Sequence, residues 1–227
     1  MACAGATGHL FLLTNMLHLP SLLECLDFTP RCMAEIGVSF PEHSLLGAYS
    51  DKCPVLLVEP HLPAARALAV AFPNARVRAV AVAEHSGQAQ LFDQGQGSWL
   101  TSVKGAPGET DGGATVQDSH VSPVRAVRMD EIDPGDIDVL TLDMEGSEWW
   151  ALKHLVSRPL ILSIETHLTN GHYINPYRAQ IEDWCFREGY CKIAEDITDS
   201  FYLRKYSGRP GGKVFEIKTP APEHLPG

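Results

Sequence analysis

The sequence has few positive charges and no closely spaced pair of cysteines. Its 227 residues include 18 Lys and Arg against 28 Asp and Glu, which gives a formal net charge of −10. Binding to nucleic-acid phosphates needs a basic face, so this balance disfavours a general nucleic-acid binder. The six cysteines form no CxxC pair and no zinc-finger spacing with histidine. They are typical of free thiols in a reducing compartment, and we expect a cytoplasmic protein.

Long apolar runs are also missing. The most apolar stretch, residues 9–28, is interrupted by Asn15, Pro20 and Glu24, and no basic segment precedes it. We therefore expect neither a membrane span nor a signal peptide. Residues 10–23 instead predict an amphipathic helix, which would cover a sheet or meet a second copy of the chain in a homodimer.

Short apolar segments alternate with helical ones through most of the chain. This order predicts an α/β fold, in which a largely parallel sheet has helices on both faces. The helix that follows Asn175 has clear boundaries, with Asn175 as N-cap, Pro176 at the first position and Gly189 after the end. The last two strands predict an antiparallel hairpin. The predicted strands are residues 32–36, 55–58, 77–83, 124–127, 137–142, 159–164, 192–194 and 201–205, and the other predicted helices are residues 61–72 and 148–156.

The sequence predicts one domain with two appendages. Residues 32–206 form the domain, and a Gly-rich stretch at residues 93–123 is predicted to be a loop insertion within it. Residues 1–31 are predicted to form a helical segment that packs on this core. Residues 207–227 are predicted to be a weakly held tail.

Acidic residues follow most of the predicted strands. Glu59, Glu84, Asp143 and Glu165 each stand at or just after the end of a strand. Ligands of parallel sheets bind at this edge, and a carboxylate after the second strand is placed to accept hydrogen bonds from ribose hydroxyls. The GxGxxG pattern that cradles a pyrophosphate is absent. The sequence therefore predicts a nucleoside ligand without a pyrophosphate, and S-adenosylmethionine is the simplest such ligand.

Several sequence blocks occur in an order that is typical of one enzyme family. They are VEPHLPAARAL, AVAEHSGQAQL, VRAVRMDEI, IDVLTLDMEGSEWWALK and LSIETH. Through these blocks, residues 32–205 resemble the FkbM-type methyltransferases, which use S-adenosylmethionine and release S-adenosylhomocysteine. The resemblance implies a Rossmann-like class I methyltransferase fold, with a mostly parallel seven-stranded sheet, helices on both faces and a C-terminal antiparallel hairpin.

The resemblance also implies a set of cofactor-binding residues. The first motif contributes Glu35, Gly37 and Ser39, and the strand end that binds the ribose contributes Glu59. The third strand contributes Ala83 and Glu84. A loop that folds over the cofactor contributes Ser102, and the strand end that faces the methionine part contributes Asp143.

Methyl transfer to a hydroxyl needs a group that takes the proton. Asp143 and His167 are the candidates, and histidine has the better matched pKa, about 6.5 when unperturbed. A hydrogen-bonded and inert His167 is an equal alternative. Glu145, His167, His172 and Tyr173 are predicted to contact the acceptor. Asp143, Glu145 and His167 also form a mixed ligand set for a divalent metal ion, a hypothesis that we do not favour because Glu145 is placed to serve the next helix.

The first cofactor motif departs from the family pattern Asp-x-Gly-Ala-Asn-x-Gly. This chain has Glu35-Ile-Gly37-Val-Ser39-Phe-Pro41, and Pro41 removes a flexible glycine and a backbone donor. Thr141 stands where the family often has lysine. These changes keep open a second interpretation, a catalytically degenerate domain that serves as a binding or regulatory module.

The function that the sequence favours is O-methylation of a small molecule. We expect an S-adenosylmethionine-dependent methyltransferase that acts on a hydroxyl of a sugar or a secondary metabolite. A protein or lipid acceptor is a further alternative, and it would need an open groove. Trp99 lies in the Gly-rich loop, where it either stacks on a ligand ring or anchors the loop.

Overall fold

The computed structural model describes residues 19–93, 97–106, 120–167 and 173–205. The α-helices in these ranges are α1 (Leu19–Cys25), α2 (Leu62–Ala71), α3 (Glu148–Lys153) and α4 (Arg178–Arg187). The strands are β1 (Met33–Ile36), β2 (Val55–Val58), β3 (Arg76–Arg78), β4 (Ala81–Val82), β5 (Gly87–Phe92), β6 (Trp99–Leu100), β7 (Val121–Val127), β8 (Val139–Leu142), β9 (Ile161–Glu165), β10 (Tyr190–Glu195) and β11 (Asp199–Arg204).

Seven strands form one large sheet in the order β10-β11-β9-β8-β1-β2-β3. The strands from β3 to β9 in this order pair in parallel, whereas β11 is antiparallel to both β9 and β10. The predicted α/β fold, with a seven-stranded sheet and a closing hairpin, is confirmed. The chain moves from β1 outward to β2 and β3, and then crosses to β8 on the other side of β1. This change of direction creates a crevice beside the end of β1, where ligands of such sheets bind.

Alternate residues of the central strands pack on opposite faces of this sheet, as the pleat of a strand requires. On one face Ile36 belongs to a core that includes Leu152 of α3 and residues of α4. On the other face Met33 belongs to a core that includes Leu23 of α1 and Leu68 of α2. Helices therefore cover both faces. The described part of the predicted N-terminal helix packs on the sheet, and its residues 10–18 lie outside the described ranges.

A second, four-stranded sheet in the order β4-β7-β5-β6 corrects the predicted third strand. Residues 77–83 do not form one strand, because β3 ends at Arg78 in the large sheet and β4 lies in the small one. The strand β5 has the sequence GQAQLF, and its first four residues are not buried. β5 was not predicted from the sequence because of this polar start, and β6 was not predicted because it has only two residues. The strand β7 begins at Val121, inside the predicted loop insertion.

The boundaries of α4 also differ from the prediction at one end. The helix begins at Arg178, two residues after Pro176, because the Asn175 side chain accepts a hydrogen bond from the Tyr177 N–H and so forms a turn before the helix. Gly189 follows the end of the helix with a φ of +81°, as predicted. None of the helices in the described ranges is long and apolar enough to cross a membrane.

Candidate active site

One row of the large sheet brings together the acidic residues that the sequence placed at separate strand ends. Ile36 is paired with Val58 on one side and with Leu142 on the other, and Leu142 is paired with Ile164. One residue further along, the antiparallel strand β11 adds Asp199, which is paired with Glu165. The row therefore reads Glu59, Gly37, Asp143, Glu165 and Asp199 across five neighbouring strands.

Gly37 allows two backbones to approach closely at the middle of this row. Its φ is +84°, and a Cβ atom at this position would lie 1.7 Å from the carbonyl oxygen of Asp143. The Asp143 N–H donates to the Ile36 carbonyl at 3.0 Å, and the Gly37 N–H donates to the Val58 carbonyl at 2.9 Å. No side chain fits between the two strand ends, so the backbone itself forms the wall of the crevice.

An open cavity lies over this row. Six of the predicted site residues line it: Glu35, Gly37, Ser39, Glu59, Asp143 and Glu145. Apolar residues also line the cavity, and they are Val58, Val80, Ala81, Val82, Leu91, Trp99 and Leu100. Of the described residues that line the cavity, none is Lys or Arg.

Glu59 and Glu35 differ in what their carboxylates do. Glu59 accepts hydrogen bonds from the backbone N–H groups of Ser39 and His61, each at 2.7 Å, and keeps further acceptor capacity toward the cavity. Glu35 is buried and accepts bonds from Ser44 Oγ and from the N–H of Leu45 at 2.8 Å, and from the next N–H at 3.0 Å. Burial raises the pKa of both carboxyls, against the effect of these bonds. Glu35 therefore holds the loop that follows β1.

Asp143 and Glu145 carry the strongest electrostatic perturbation among the cavity residues. Asp143 is exposed within the open cavity, and the protein atoms around it replace part of the hydration of its carboxylate. This loss of solvation, followed by repulsion from Glu145 and Asp199, raises the pKa of Asp143 well above its usual value. Burial and repulsion from Glu148 raise the pKa of Glu145 to about 7. Glu145 consequently titrates near neutrality, and Asp143 keeps its proton to a higher pH than a free carboxyl does.

The turn that carries these two acids is held by Glu148 of α3. Glu148 is fully buried, and its Oε1 accepts the N–H of Met144 at 2.6 Å and that of Gly146 at 3.2 Å. Its Oε2 accepts a bond from the Asn175 side-chain amide. The turn places Glu145 in the left-handed region, with a φ of +54°. The role of Glu148 was not predicted from the sequence, although its spacing from Asp143 in DMEGSE was a usable signal.

A family model described as the methyltransferase FkbM domain matches residues 32–191. The chain belongs to the FkbM methyltransferase family. The matched span contains every cavity-lining residue except Asp199.

Solved structures that are similar to this FkbM family member are distant from it in sequence. The FkbM methyltransferase of Methylobacillus flagellatus KT is 16% identical, with a TM-score of 0.49 over 77% of this chain. Monomeric WbdD is 13% identical, with a TM-score of 0.43 over 90% of this chain. The methyltransferase domain of bacterial CtHen1-CN is 12% identical, with a TM-score of 0.40 over 83% of this chain and 98% of its own. This chain covers 43% of each of the first two proteins. No curated protein sequence matches it.

Three of the cofactor-binding residues predicted from the FkbM resemblance, Ala83, Glu84 and Ser102, do not line the cavity. Ala83 donates its backbone N–H to Val127 in the small sheet. Glu84 pairs with Lys153 Nζ at 2.7 Å on the surface, which lowers the pKa of its carboxyl. Ser102 is exposed in the turn after β6. The structure gives no support to a cofactor contact by these three side chains.

His167 also lies outside the cavity lining. Its Nε2 is 3.2 Å from the Asp196 carbonyl oxygen, which can only accept, so Nε2 carries the proton in the neutral ring. Its Nδ1 then accepts from Thr166 Oγ1 at 2.9 Å. Both ring nitrogens are engaged, which agrees with the inert alternative and disfavours a role as base or metal ligand. No three His, Cys, Asp or Glu residues in the described ranges are grouped so that they could hold a metal ion.

The remaining predictions concern Tyr173, His172 and Trp99. Tyr173 is fully buried behind the acidic turn, and His172 lies outside the described residues. Trp99 is 1% exposed and packs 4.6 Å from the Phe92 ring, as expected of a loop anchor.

Asp199 is a cavity residue that was not predicted from the sequence. It lines the cavity and accepts bonds from Ser163 Oγ and Thr198 Oγ1. Because β11 is antiparallel, its first residue lies at the carboxyl edge of the parallel strands, and this topology was the signal for Asp199.

Proposed function

We propose that this chain is an S-adenosylmethionine-dependent methyltransferase that methylates a hydroxyl group of a small molecule. The observation that carries the proposal is the position of Glu59. Its carboxylate lines the cavity one strand away from the close approach of Gly37 and Asp143. Each of its oxygens accepts one backbone bond, whereas a carboxylate offers about four acceptor positions. The remaining capacity suits the two hydroxyls of a ribose.

The residues around Glu59 fit the rest of that cofactor. Val80, Val82 and Leu91 offer an apolar wall for an adenine ring. Asp143 and Glu145 suit the end of the cofactor that carries an ammonium and a sulfonium charge. When bound, the cofactor supplies a methyl group on a positively charged sulfur, which is ready for displacement.

Asp143 is the residue that we assign as proton acceptor. It lines the cavity at the switch point between β1 and β8, whereas the ring nitrogens of His167 are engaged elsewhere. A raised pKa makes a carboxylate a better base near neutrality. Asp143 would orient the acceptor hydroxyl and take its proton while the oxygen gains the methyl group.

Calorimetric titration of the purified protein with S-adenosylmethionine and S-adenosylhomocysteine tests the cofactor part of the proposal. Glu59→Gln keeps the shape of the side chain and removes its charge, and we expect it to weaken binding by about tenfold or more. Glu84→Gln is the matched control, because Glu84 lies outside the cavity, and it should bind as the wild type does. Equal binding by both variants would contradict the assignment of Glu59.

One observation favours a second candidate, a degenerate domain that binds a ligand without catalysis. Ser39 stands where the family motif has asparagine, in the left-handed region with a φ of +59°, and its Oγ has no partner among the described residues. Tight cofactor binding without methyl transfer to any hydroxylated acceptor would support this candidate. Failure to bind the cofactor at about millimolar concentration would remove the methyltransferase proposal.

A further inference from the structure

A short segment of the small sheet reaches across the cavity. Residues 97–100, which we call the strap, include β6, and all four of them line the cavity. A Cβ atom on Gly97, at the start of the strap, would lie 3.6 Å from Glu145 Oε1. Near the other end, Trp99 is buried and packs against the Phe92 ring of β5. The strap therefore extends from the small sheet to the turn that follows β8.

Asp93 joins the strap to the end of β2. Phe92 is paired with Trp99, so Asp93 and Ser98 stand opposite each other one residue further on. Ser98 Oγ donates to Asp93 Oδ1 at 3.4 Å, and Asp93 Oδ2 lies 3.4 Å from His61 Nε2. An ionised carboxylate can only accept, so Nε2 carries the proton in the neutral ring. One carboxylate thus bridges the strap and His61.

His61 connects this bridge to Glu59. The His61 backbone N–H donates to Glu59 Oε1 at 2.7 Å, and the residue lines the cavity as the N-cap of α2. The His61 ring also meets the Phe40 ring edge-on, with 5.9 Å between the ring centroids. Asp93 itself is not among the described residues that line the cavity. It reaches the proposed ribose position only through His61.

The two halves of the strap are held in different ways. Trp99 anchors the second half, because it is buried in the core of the small sheet. The first half has no side chain at Gly97, and the bond from Ser98 to Asp93 steadies it. This first half is also the part that reaches Glu145. Without Asp93, this part of the cavity wall would have to be ordered when a ligand binds, and such ordering costs affinity.

We propose that Asp93 is a positioning residue for the cofactor, and that its bridge from His61 to Ser98 fixes the strap beside a ligand bound at Glu59. The inference rests on the proposed function, which assigns the ribose to Glu59. Asp93 acts through its two neighbours and makes no contact with the cofactor. The side chains of His61 and Asp93 are 21% and 35% exposed, and pairs of this kind contribute little by themselves. The expected effect is therefore a severalfold change in binding and not its loss.

Binding kinetics of the wild type, Asp93→Asn, His61→Ala and the double variant test the proposal. Asp93→Asn keeps the shape of the side chain and removes the charge that faces His61. We expect it to raise the dissociation rate constant of S-adenosylhomocysteine by about threefold, while the association rate constant stays within about twofold of the wild type. In the His61→Ala background the same substitution should have almost no effect, because the partner is already missing. Stopped-flow tryptophan fluorescence measures both rate constants, with Trp99 in the cavity as the reporter.

Two control variants separate positioning from a general loss of stability. His61→Gln keeps a side-chain donor that can face Asp93, and it should release the cofactor at nearly the wild-type rate. Glu188→Gln breaks the pair with Arg158, whose side chains are exposed to a similar extent, 31% and 33%. Neither residue is among the described residues that line the cavity. Glu188→Gln should therefore leave the release rate unchanged, whatever its effect on urea denaturation.

The outcomes separate this inference from the proposed function. If the wild type binds neither form of the cofactor, the proposed function fails and the inference fails with it. If the wild type binds the cofactor but Asp93→Asn releases it at the wild-type rate, only the inference is wrong. If Asp93→Asn speeds release equally with and without the His61 ring, its charge acts directly on the site, and the bridge is also wrong. Should Asp93→Asn not fold, faster release from His61→Ala than from His61→Gln supports the bridge, and equal release contradicts it.

Discussion

At the scale of single residues, the most constrained position of the site is Gly37. A side chain here meets two separate problems, a positive φ of +84° and a contact of 1.7 Å with the Asp143 carbonyl oxygen. Gly189 has nearly the same φ, +81°, and open space around it. The pair therefore separates the cost of backbone conformation from the cost of close approach.

We expect Gly37→Ala to destabilise the protein by about 3 kcal/mol or more, because the two strand ends must move apart. Gly189→Ala should cost about 1 kcal/mol, from conformation alone. Urea denaturation gives both values, and cofactor titration should show weaker binding for Gly37→Ala only. Equal destabilisation by the two substitutions would mean that the close approach does not matter.

Asp143 and His167 provide the second prediction at this scale. Asp143→Asn should lower kcat by about a hundredfold or more, because the residue that takes the proton is lost. His167→Gln should reduce stability by about 1 kcal/mol through its lost bonds and leave kcat within about threefold of the wild type. Since the pKa of Asp143 is raised, the kcat of the wild type should fall as the pH drops through that pKa. Steady-state kinetics over a pH series checks both expectations.

At the scale of elements, the site depends on a link between α3 and the segment before α4. Glu148 accepts from the Asn175 amide, and Asn175 also donates to the Glu165 carbonyl oxygen at 3.2 Å and accepts from the Tyr177 N–H at 2.9 Å. The same Glu148 carboxylate fixes the N–H groups of the acidic turn. The turn is thus positioned by residues that are 27 apart in sequence.

Exchanging the charge between these two residues tests the link. Glu148→Gln places one amide donor against another, and Asn175→Asp places two carboxylates together, so each single change should lower both stability and kcat. The double variant restores a donor opposite an acceptor, and we expect a favourable coupling of about 1 to 3 kcal/mol in the double-mutant cycle. Partial rescue of kcat by the double variant would identify positioning. Additive effects would show that the two side chains act independently.

Some of the strands could be predicted from the sequence, and others could not. The strands of the large sheet are short apolar runs that end in acids, so Gly37, Glu59 and Asp143 were placed correctly at one edge. The small sheet was missed because β5 starts with polar, exposed residues and β6 has two residues. The roles of Glu35 and His167 depend on partners in loops, at Leu45 and at Asp196, and no local pattern specifies such contacts.

At the scale of the whole molecule, the net charge of −10 is partly concentrated at the site. Burial raises the pKa of Glu145 and of Glu148 from 4.5 to about 7, and it raises the pKa of Glu165 as well. A carboxyl whose pKa is higher in the folded state binds its proton more tightly there. It contributes full stability below the unfolded pKa and loses this contribution as the pH rises through the folded pKa.

The free energy of unfolding should therefore fall by at least about 2 kcal/mol as the pH rises from about 5 to 8. Carboxyls with lowered pKa, such as Glu84 and Glu195, lose their stabilising contribution only as the pH falls below their unfolded pKa of 4.5, so they do not oppose this trend between pH 5 and 8. Urea denaturation across this range measures the slope, and Glu148→Gln should flatten it. Stability that rises steadily with pH would contradict the raised pKa values.

The same acids should make cofactor recognition depend on pH. S-adenosylmethionine and S-adenosylhomocysteine differ in the methyl group and in the positive charge on sulfur, so their affinity ratio isolates the response to that charge. As Glu145 ionises near pH 7, the ratio should shift toward S-adenosylmethionine by about threefold or more between about pH 6 and pH 8. Competition titrations at the two pH values measure it. In Glu145→Gln the shift of the affinity ratio should be smaller, because one of the ionising acids is gone. An affinity ratio that stays constant with pH in the wild type would mean that these carboxylates do not face the sulfur.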